Sequence, residues 1–282
     1  MPRPDSASLP PAPVDLRLVV SDMDGTLLDG DGLLPAGFAT TVERMRAHGV
    51  HFAPASGRQL ANLRHVLGQA IAHSPIIAEN GTLVVQEDTV IHCETITADE
   101  TVAAINTTRD LRMDSYDVGA VLAGVDCAYI ERQDPPFLEE VSRYYQELEV
   151  VDDLLTVDLS RTLKVAVYDF DDAEAGSSQA LTAAVPEVQA VVSGEHWTDL
   201  MPPTASKGRA LAALQARLGV TPAQTAVFGD YLNDLDLYEH AELSFAMANA
   251  HPGIRAVAHW TAPANTDAGV VRTVNALLDR LS

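Results

Sequence analysis

Four short segments carry side chains that could do chemistry, and the first is DMDGT, in which Asp22 and Asp24 are two residues apart. If the chain stays extended there, both carboxylates face the same side of a strand end. Two close carboxylates repel, so one must hold a proton or a cation must lie between them. One could then attack phosphorus while the other protonates the leaving oxygen and activates water. Gly25 allows a sharp turn that Thr26 can hold, and the alternative interpretation is a solvated acidic loop.

The second segment is ASGR, which follows an apolar run and precedes a helical pattern. The hydroxyl of Ser56 and the amide of Gly57 at a helix N-terminus could cradle an oxyanion. A serine before a helix is also an ordinary N-cap, so both interpretations stay open. Arg58 could bind phosphate, although a surface or structural ion pair explains it more simply.

The third and fourth segments are TASKGRAL and FGDYLND. Lys207 lies at the start of a predicted helix, where the helix dipole disfavours a cation. A lysine held over a phosphate and carboxylate site would explain that position, and a solvated lysine is the alternative. Asp230 and Asp234 frame Asn233 after an apolar run, and hard oxygen ligands of this kind fit Mg²⁺. An acidic helix cap would explain only one of the two aspartates.

The elements that must position these segments alternate in type at both ends of the chain. The apolar runs LRLVVSD, VHFAPAS and SPIIAENG alternate with helical patterns at 35–48 and 59–72. The last third repeats this order, with helices predicted at 206–218, 232–241 and 267–281 and strands at TAVFGD and LSFAMANA. Such alternation predicts βαβ units and a parallel sheet. Functional residues gather at the strand ends of such a sheet, where the four segments would converge.

The middle of the chain has a different pattern. Segment 82–95 predicts a hairpin that turns at Glu87-Asp88. Further β-rich segments at 127–133, 162–170 and 188–201 are interleaved with helical patterns at 98–112, 136–147 and 172–184. Hairpins beside helices predict an α+β module with an antiparallel sheet. We therefore predict an α/β protein with a flexible tail at 1–14, a Rossmann-like core at 15–82 and 199–282, and an inserted module at 83–198.

Composition excludes several classes of partner. The formal net charge of −22 would repel nucleic acid and an anionic membrane. The N-terminal segment lacks a signal-peptide pattern, and no apolar run approaches the ~20 residues that span a bilayer. Cys93 and Cys127 are expected to be buried thiols in a reducing compartment. We expect a cytoplasmic monomer or weak homodimer that binds neither nucleic acid nor membrane.

The order Asp-x-Asp-Gly-Thr, Ser, Lys and Gly-Asp-x-x-Asn-Asp resembles the four motifs of the haloacid dehalogenase superfamily. The segments ENG, MPPTASKG, AMANA and TDAGVV resemble its Cof-type branch, the class IIB sugar-phosphate phosphatases with a C2-type cap. The stretch between Asp24 and Ser56 is too short for a cap. The stretch between Gly57 and Lys207 leaves room for a whole domain, as a C2 cap requires.

The resemblance implies roles for the residues in these motifs. Asp22 resembles the nucleophile that forms an aspartyl-phosphate, and Asp24 resembles the general acid and base. The implied Mg²⁺ ligands are Asp22, the backbone carbonyl of Asp24 and Asp230, with Asp234 supporting the site. The implied phosphoryl-binding groups are the Met23 amide, Ser56, Gly57, Lys207 and Asn233.

The predicted function is Mg²⁺-dependent hydrolysis of a small phosphorylated metabolite, with a sugar phosphate as the predicted substrate. A phosphomutase of the phosphomannomutase type and a non-catalytic sugar-phosphate sensor stay open as alternatives. Asp24 argues against a dehalogenase and a sensor, because neither needs a proton donor there. Polar candidates for substrate choice are His92, Tyr129, Arg132 and Lys164, although a structural role is the simpler explanation for each.

Overall fold

The computed structural model describes residues 9–87 and 89–281. The strands are β1 (Leu18–Ser21), β2 (His51–Pro54), β3 (Pro75–Ala78), β4 (Leu83–Gln86), β5 (Thr89–Cys93), β6 (Val118–Gly124), β7 (Ala128–Ile130), β8 (Leu148–Val150), β9 (Thr162–Asp169), β10 (Gln189–Val192), β11 (Trp197–Met201), β12 (Thr225–Gly229), β13 (Leu243–Met247) and β14 (Trp260–Ala262). The α-helices are α1 (Phe38–Ala47), α2 (Leu60–Leu67), α3 (Ala98–Met113), α4 (Pro135–Ser142), α5 (Ser177–Ala184), α6 (Lys207–Leu218), α7 (Pro252–Val257) and α8 (Gly269–Leu278). Short 3₁₀ helices include Glu79–Gly81, Leu154–Thr156, Leu232–His240 and Asn265–Asp267.

The chain divides into two compact units. The first contains the described residues up to Ser56, Leu63–His92, and the residues from Ser206 onward. The second contains Gly57–Asn62 and Cys93–Ala205.

The first unit is built on a five-stranded sheet in the order β14-β13-β12-β1-β2. All of its strand pairs are parallel. Every residue of β1 and β12 is buried, which is typical of parallel strands covered on both faces. The predicted parallel sheet is confirmed, but the strand predicted at SPIIAENG, which is β3, belongs to another sheet.

A second sheet of the first unit contains β3, β4 and β5, in that order. A parallel bridge between Ala55 and Ile77 joins it to the end of β2. The sequence prediction placed β4 and β5 in the inserted module, and that placement is wrong because β4 pairs antiparallel with β3. The predicted turn contains Asp88, which lies outside the described residues.

The predicted flexible tail was also too long. Residues 1–8 lie outside the described part of the chain, but Val14 is buried and forms a parallel bridge with Leu281. The guanidinium of Arg280 donates a 2.8 Å hydrogen bond to the carbonyl of Pro10. These contacts hold 10–14 against the C-terminal end of the first unit.

The second unit has a six-stranded sheet in the order β10-β11-β9-β6-β7-β8. Its pairs are antiparallel except for β7 with β8. The predicted α+β module is confirmed, but it ends at Ala205 instead of 198 because β11 pairs with β9. Cys93 is exposed and Cys127 half-buried, so the prediction of two buried thiols is wrong. Among the described residues, no helix is both long and apolar enough to cross a membrane.

Candidate active site

Two neighbouring parallel strands bring the first and fourth chemical segments to one edge of the sheet. Asp22 follows β1 and Asp230 follows β12, and Ser21 is paired in register with Phe228. The backbone N–H of Asp22 continues this pairing with a 3.0 Å hydrogen bond to the carbonyl of Phe228. Because parallel strands point the same way, both acids lie at the carboxyl edge, where ligands of such sheets bind.

The chain turns sharply after Asp22 and packs that turn against Asp230. Gly25 has φ +73°, and a Cβ there would collide with Asp230 Oδ2. Thr26 Oγ1 donates a 2.8 Å hydrogen bond to Asp230 Oδ1. The glycine therefore permits the close approach that the threonine then fixes. Asp24, the residue before Gly25, is exposed to solvent.

Lys207 is fully buried and bonded to two carboxylates. Its Nζ lies 2.6 Å from Asp22 Oδ1 and 2.7 Å from Asp234 Oδ1. Lys207 is the first residue of α6. Ser206 is the N-cap of this helix, and its hydroxyl accepts a 3.1 Å hydrogen bond from the N–H of Arg209. Burial lowers the pKa of Lys207, but the two aspartates raise it by more, so the pKa lies above its ordinary value. The solvated alternative for Lys207 is therefore wrong.

Both oxygens of Asp234 are bonded to protein groups. Oδ1 accepts from Lys207, and Oδ2 accepts from the backbone N–H groups of Asp230 (3.0 Å) and Tyr231 (3.3 Å). Gly229 also packs against this carboxylate, because a Cβ there would lie 2.6 Å from Asp234 Oδ2. This arrangement fits a residue that orients Lys207 and the loop after β12.

Three carboxylates form a cluster that could hold a divalent cation. Oxygens of Asp22, Asp230 and Asp234 lie within 4.8 Å of one another. Burial raises the pKa of Asp22 well above its ordinary value; Lys207 opposes this shift, and the charges of Asp234 and Asp230 add to it. Burial, and then the charge of Asp234, raise the pKa of Asp230 to about 7. A cation would relieve the repulsion between these crowded carboxylates, whose oxygens are hard donors. The cluster is therefore a suitable site for a metal ion.

The predicted phosphoryl-binding residues other than Lys207 lie in several elements. Met23 is buried in the turn after β1, and Ser56 is buried two residues after β2. Asn233 lies in the 3₁₀ helix that follows β12, and its Nδ2 donates a 2.9 Å hydrogen bond to Asn80 Oδ1. Gly57 belongs to the second unit, where its carbonyl accepts a 2.8 Å hydrogen bond from Lys164 Nζ. Their phosphoryl-binding roles stay predictions.

Three cations that the sequence offered for substrate binding have protein partners. Arg58 is buried, donates 2.7 Å to the carbonyl of Arg143 and lies over the Tyr144 ring. Arg132 donates to both Asp117 and Asp134, and Lys164 forms a buried 3.1 Å ion pair with Asp199. The structural explanation therefore accounts for each of them. Tyr129 and His92 are half-buried, and their role in substrate choice stays a prediction.

Two asparagines whose contacts were not predicted from the sequence, Asn249 and Asn265, hold the turn after β1. Asn249 Nδ2 donates a 2.7 Å hydrogen bond to the carbonyl of Gly25, and its Oδ1 accepts 3.1 Å from the N–H of Asn265. Asn265 Nδ2 donates 2.9 Å to the carbonyl of Leu28. The signal available in the sequence was the AMANA segment, which places an asparagine just after a strand.

The matching family model and the similar proteins agree on one protein family. The family model described as haloacid dehalogenase-like hydrolase matches residues 19–274. The 5-amino-6-(5-phospho-D-ribitylamino)uracil phosphatase YbjI of Escherichia coli strain K12 is 28% identical over 268 residues, which cover 94% of this chain and 97% of that protein. The HMP-PP phosphatase of Escherichia fergusonii is 27% identical over 242 residues, which cover 85% of this chain and 87% of that protein.

Solved structures share the fold over more than nine tenths of the chain. The protein SMU.1108c from Streptococcus mutans UA159 superimposes with a TM-score of 0.85 at 21% identity, covering 94% of this chain and 99% of its own. A haloacid dehalogenase-like hydrolase from Bacillus subtilis gives a TM-score of 0.80 at 20% identity, covering 92% and 99%.

Proposed function

Because the chain belongs to the haloacid dehalogenase-like hydrolase family, and to its Cof-type branch, we propose that it is a Mg²⁺-dependent phosphatase of a small phosphorylated metabolite. A sugar phosphate is the proposed substrate, hydrolysed through an aspartyl-phosphate. The observation that carries the proposal is the buried Lys207 amine between Asp22 and Asp234, at 2.6 and 2.7 Å, beside Asp230. The names of the two curated relatives, both phosphatases, support it.

The cation site follows from the acidic cluster. Asp22 and Asp230 would hold Mg²⁺ with the backbone carbonyl of Asp24, and Asp234 would support them. When bound, the ion would neutralise negative charge on the phosphoryl oxygens. Lys207 would add positive charge on the same side, which a protein with a net charge of −22 needs to bind an anion.

In the proposed reaction an oxygen of Asp22 attacks phosphorus as the bond from phosphorus to the substrate oxygen breaks. The hydrogen bond from Lys207 to Asp22 Oδ1 fixes the direction of this carboxylate and favours its ionised form. Asp24, exposed beside it, gives its proton to the leaving oxygen. Water then attacks the phosphorus of the aspartyl-phosphate, Asp24 takes the proton of that water, and phosphate leaves Asp22.

The two units would have different roles in the reaction. We assign the nucleophile, the general acid and base and the metal ligands to the first unit, and the choice of substrate to the second. The Met23 amide, Ser56, Gly57, Lys207 and Asn233 would hold the phosphoryl group.

The test is phosphate release from a panel of aryl and sugar phosphates in the presence of Mg²⁺. We expect Asp22→Asn to lower kcat by at least about 10³-fold, and EDTA to abolish activity. Asp31→Asn is the control, because Asp31 is an exposed aspartate close by in the chain. Equal release by wild type and Asp22→Asn would disprove the proposal. A requirement for a bisphosphate activator with little release would indicate a mutase, and binding without turnover would indicate a sensor.

A further inference from the structure

The turn Glu79–Gly81, called here the ENG turn, contacts three segments of the proposed site within the first unit. The backbone N–H of Asn80 donates a 2.9 Å hydrogen bond to the carbonyl of Ser56. Asn80 Oδ1 accepts a 2.9 Å hydrogen bond from Asn233 Nδ2. Gly81 packs against the backbone of Ser206 and Lys207. The ENG turn therefore joins residues that lie far apart in the sequence.

The backbone of the ENG turn is unusual. Glu79, Asn80 and Gly81 have φ values of +51°, +55° and +95°. Residues other than glycine rarely adopt such positive φ values. These backbone conformations persist where the surrounding structure holds them. Glu79 and Asn80 are 1% and 2% exposed. The conformation is thus fixed by burial among the segments that the turn joins.

Gly81 sets the distance between the turn and α6. A Cβ at this position would collide with the carbonyl oxygen of Ser206 and lie 2.8 Å from the backbone nitrogen of Lys207. A glycine is therefore required for the turn to lie directly against the first residue of α6. This contact places the backbone from which the Lys207 side chain reaches the two carboxylates.

Asn80 also fixes the side chain of Asn233. A side-chain amide has two N–H donors and one acceptor oxygen, and it can flip unless a partner selects one orientation. Asn80 Oδ1 accepts one of the two N–H groups of Asn233. The amide of Asn233, which is only half-buried, then keeps its second N–H in one direction.

We propose that the ENG turn is a positioning element of the phosphoryl site, with Asn80 as its central residue. Asn80 holds the Asn233 amide and the backbone that carries the Ser56 hydroxyl, so that the second N–H of Asn233 and this hydroxyl are presented to a phosphoryl group. The role rests on the proposed function. It adds Asn80, which acts through Asn233 and Ser56, to the residues on which the reaction depends.

The test is a double-mutant cycle between Asn80 and Asn233. Asn80→Gly removes the acceptor oxygen but tolerates the positive φ, and Asn233→Ala removes the donor. The readouts are kcat/KM with Mg²⁺ and, separately, the affinity for inorganic phosphate measured by calorimetry. We expect Asn80→Gly to lower both by about tenfold, the value of one hydrogen bond. In the Asn233→Ala background, Asn80→Gly should lower kcat/KM and phosphate affinity by less than about twofold, because the group that Asn80 orients is already gone.

Two further variants separate positioning from stability. Asn80→Asp keeps an acceptor oxygen and tolerates the same φ, so Asn233→Ala should cost this variant as much as it costs the wild type. Ser115→Gly is the matched control for a glycine at positive φ, because Ser115 is exposed, has φ +77° and lies in the second unit. It should leave both readouts unchanged. If Asn80→Gly does not fold, Asn80→Ser replaces it in the cycle, since its hydroxyl is too short to reach Asn233.

The outcomes separate this role from the proposed function. Losses that add in the double variant, or an Asn80→Gly protein with unchanged kcat/KM and phosphate affinity, would overturn the positioning role while the phosphatase stands. A wild-type protein that neither binds nor releases phosphate would overturn the proposed function and, with it, the role of the ENG turn.

Discussion

Asp22 and Asp24 are close in the chain but lie in different surroundings. Asp22 is buried and bonded to Lys207, whereas Asp24 is exposed on the turn that follows. A buried carboxylate held by a lysine suits attack on phosphorus, and an exposed one can exchange protons with water. Burial therefore distinguishes the two acids in the way that their proposed roles require.

We predict that Asp24→Asn separates the two steps of the reaction. With p-nitrophenyl phosphate, whose leaving group needs no proton, the first turnover should persist. Later turnovers should slow by about 10²–10⁴-fold, because general base catalysis of water attack is lost. Stopped-flow measurement should then show a burst of one nitrophenolate per enzyme. Equal slowing of the first and later turnovers would exclude this role for Asp24.

A second prediction concerns Gly25. Gly25→Ala should weaken Mg²⁺ binding by about tenfold or more, because the new Cβ collides with the carboxylate of Asp230. Gly32→Ala is a matched control, since Gly32 also has φ +73° but a Cβ added there would meet no atom within 4 Å. Both variants should lose about 1–2 kcal/mol of stability from backbone strain. Mg²⁺ titrations of activity and thermal unfolding separate the two effects, and equal Mg²⁺ affinities in the two variants would contradict the prediction.

The sequence singled out Asp22, Asp230 and Asp234, which the structure brings together, because their types and spacing are themselves the signal. Their roles stay predictions. The sequence did not predict that Lys207 is fully buried or that Asn80 reaches Asn233. The Asn80-Gly81 dipeptide indicates a turn with positive φ. Both features, however, depend on the approach of segments far apart in the chain, which a local pattern does not specify. The contacts of Asn249 and Asn265 were missed for the same reason.

At the scale of elements, β1, β2, β12 and β13 were predicted closely because parallel buried strands are continuous apolar runs, whereas the short β14 was not predicted. In the second unit β6 was missed, because VGAVLAG is rich in small residues that favour no element. The helix expected after β12 is a 3₁₀ helix, in which Asp234 Oδ2 accepts backbone N–H groups of the preceding residues. Sheet membership of β4 and β5 depends on pairing partners, which a local pattern does not specify.

A third prediction concerns the ion pair that joins β9 to β11. Lys164→Met should destabilise the second unit by about 3–5 kcal/mol, because it leaves Asp199 charged and buried without this lysine. Replacing both residues in Lys164→Met/Asp199→Leu should cost at least about 2 kcal/mol less. Trp197 lies in β11, so urea unfolding followed by fluorescence in a Trp260→Phe background reports on this unit. A double variant as unstable as the single one would show that the pair itself is not the cause.

On the scale of the whole molecule, the net negative charge opposes the binding of the proposed anionic substrate. Acidic residues outnumber Lys and Arg by 40 to 18. A phosphate monoester must therefore approach a protein of its own sign, and binding depends on the few positive groups at the site. Long-range repulsion of this kind is screened by salt, whereas buried pairs such as Lys207 with Asp22 are affected much less.

We therefore predict that kcat/KM for a sugar phosphate rises roughly two- to fivefold between about 10 and 150 mM KCl at saturating Mg²⁺. Screening should accelerate the encounter while kcat stays constant, so the change should appear in KM. Steady-state kinetics across the salt series checks this. A fall in kcat/KM with salt would instead indicate that a local positive field guides the substrate.

The order of strands in the first unit has a consequence for synthesis on the ribosome. β1 lies between β2 and β12, and β12 emerges only after the whole second unit. Until then one hydrogen-bonding edge of β1 lacks its native partner strand, and such an edge invites wrong pairing. The continuous stretch Cys93–Ala205 can complete its own sheet first. Until α6 and β12 have followed, Asp22 lacks Asp230, Asp234 and Lys207, so the proposed catalytic centre is among the last parts to form.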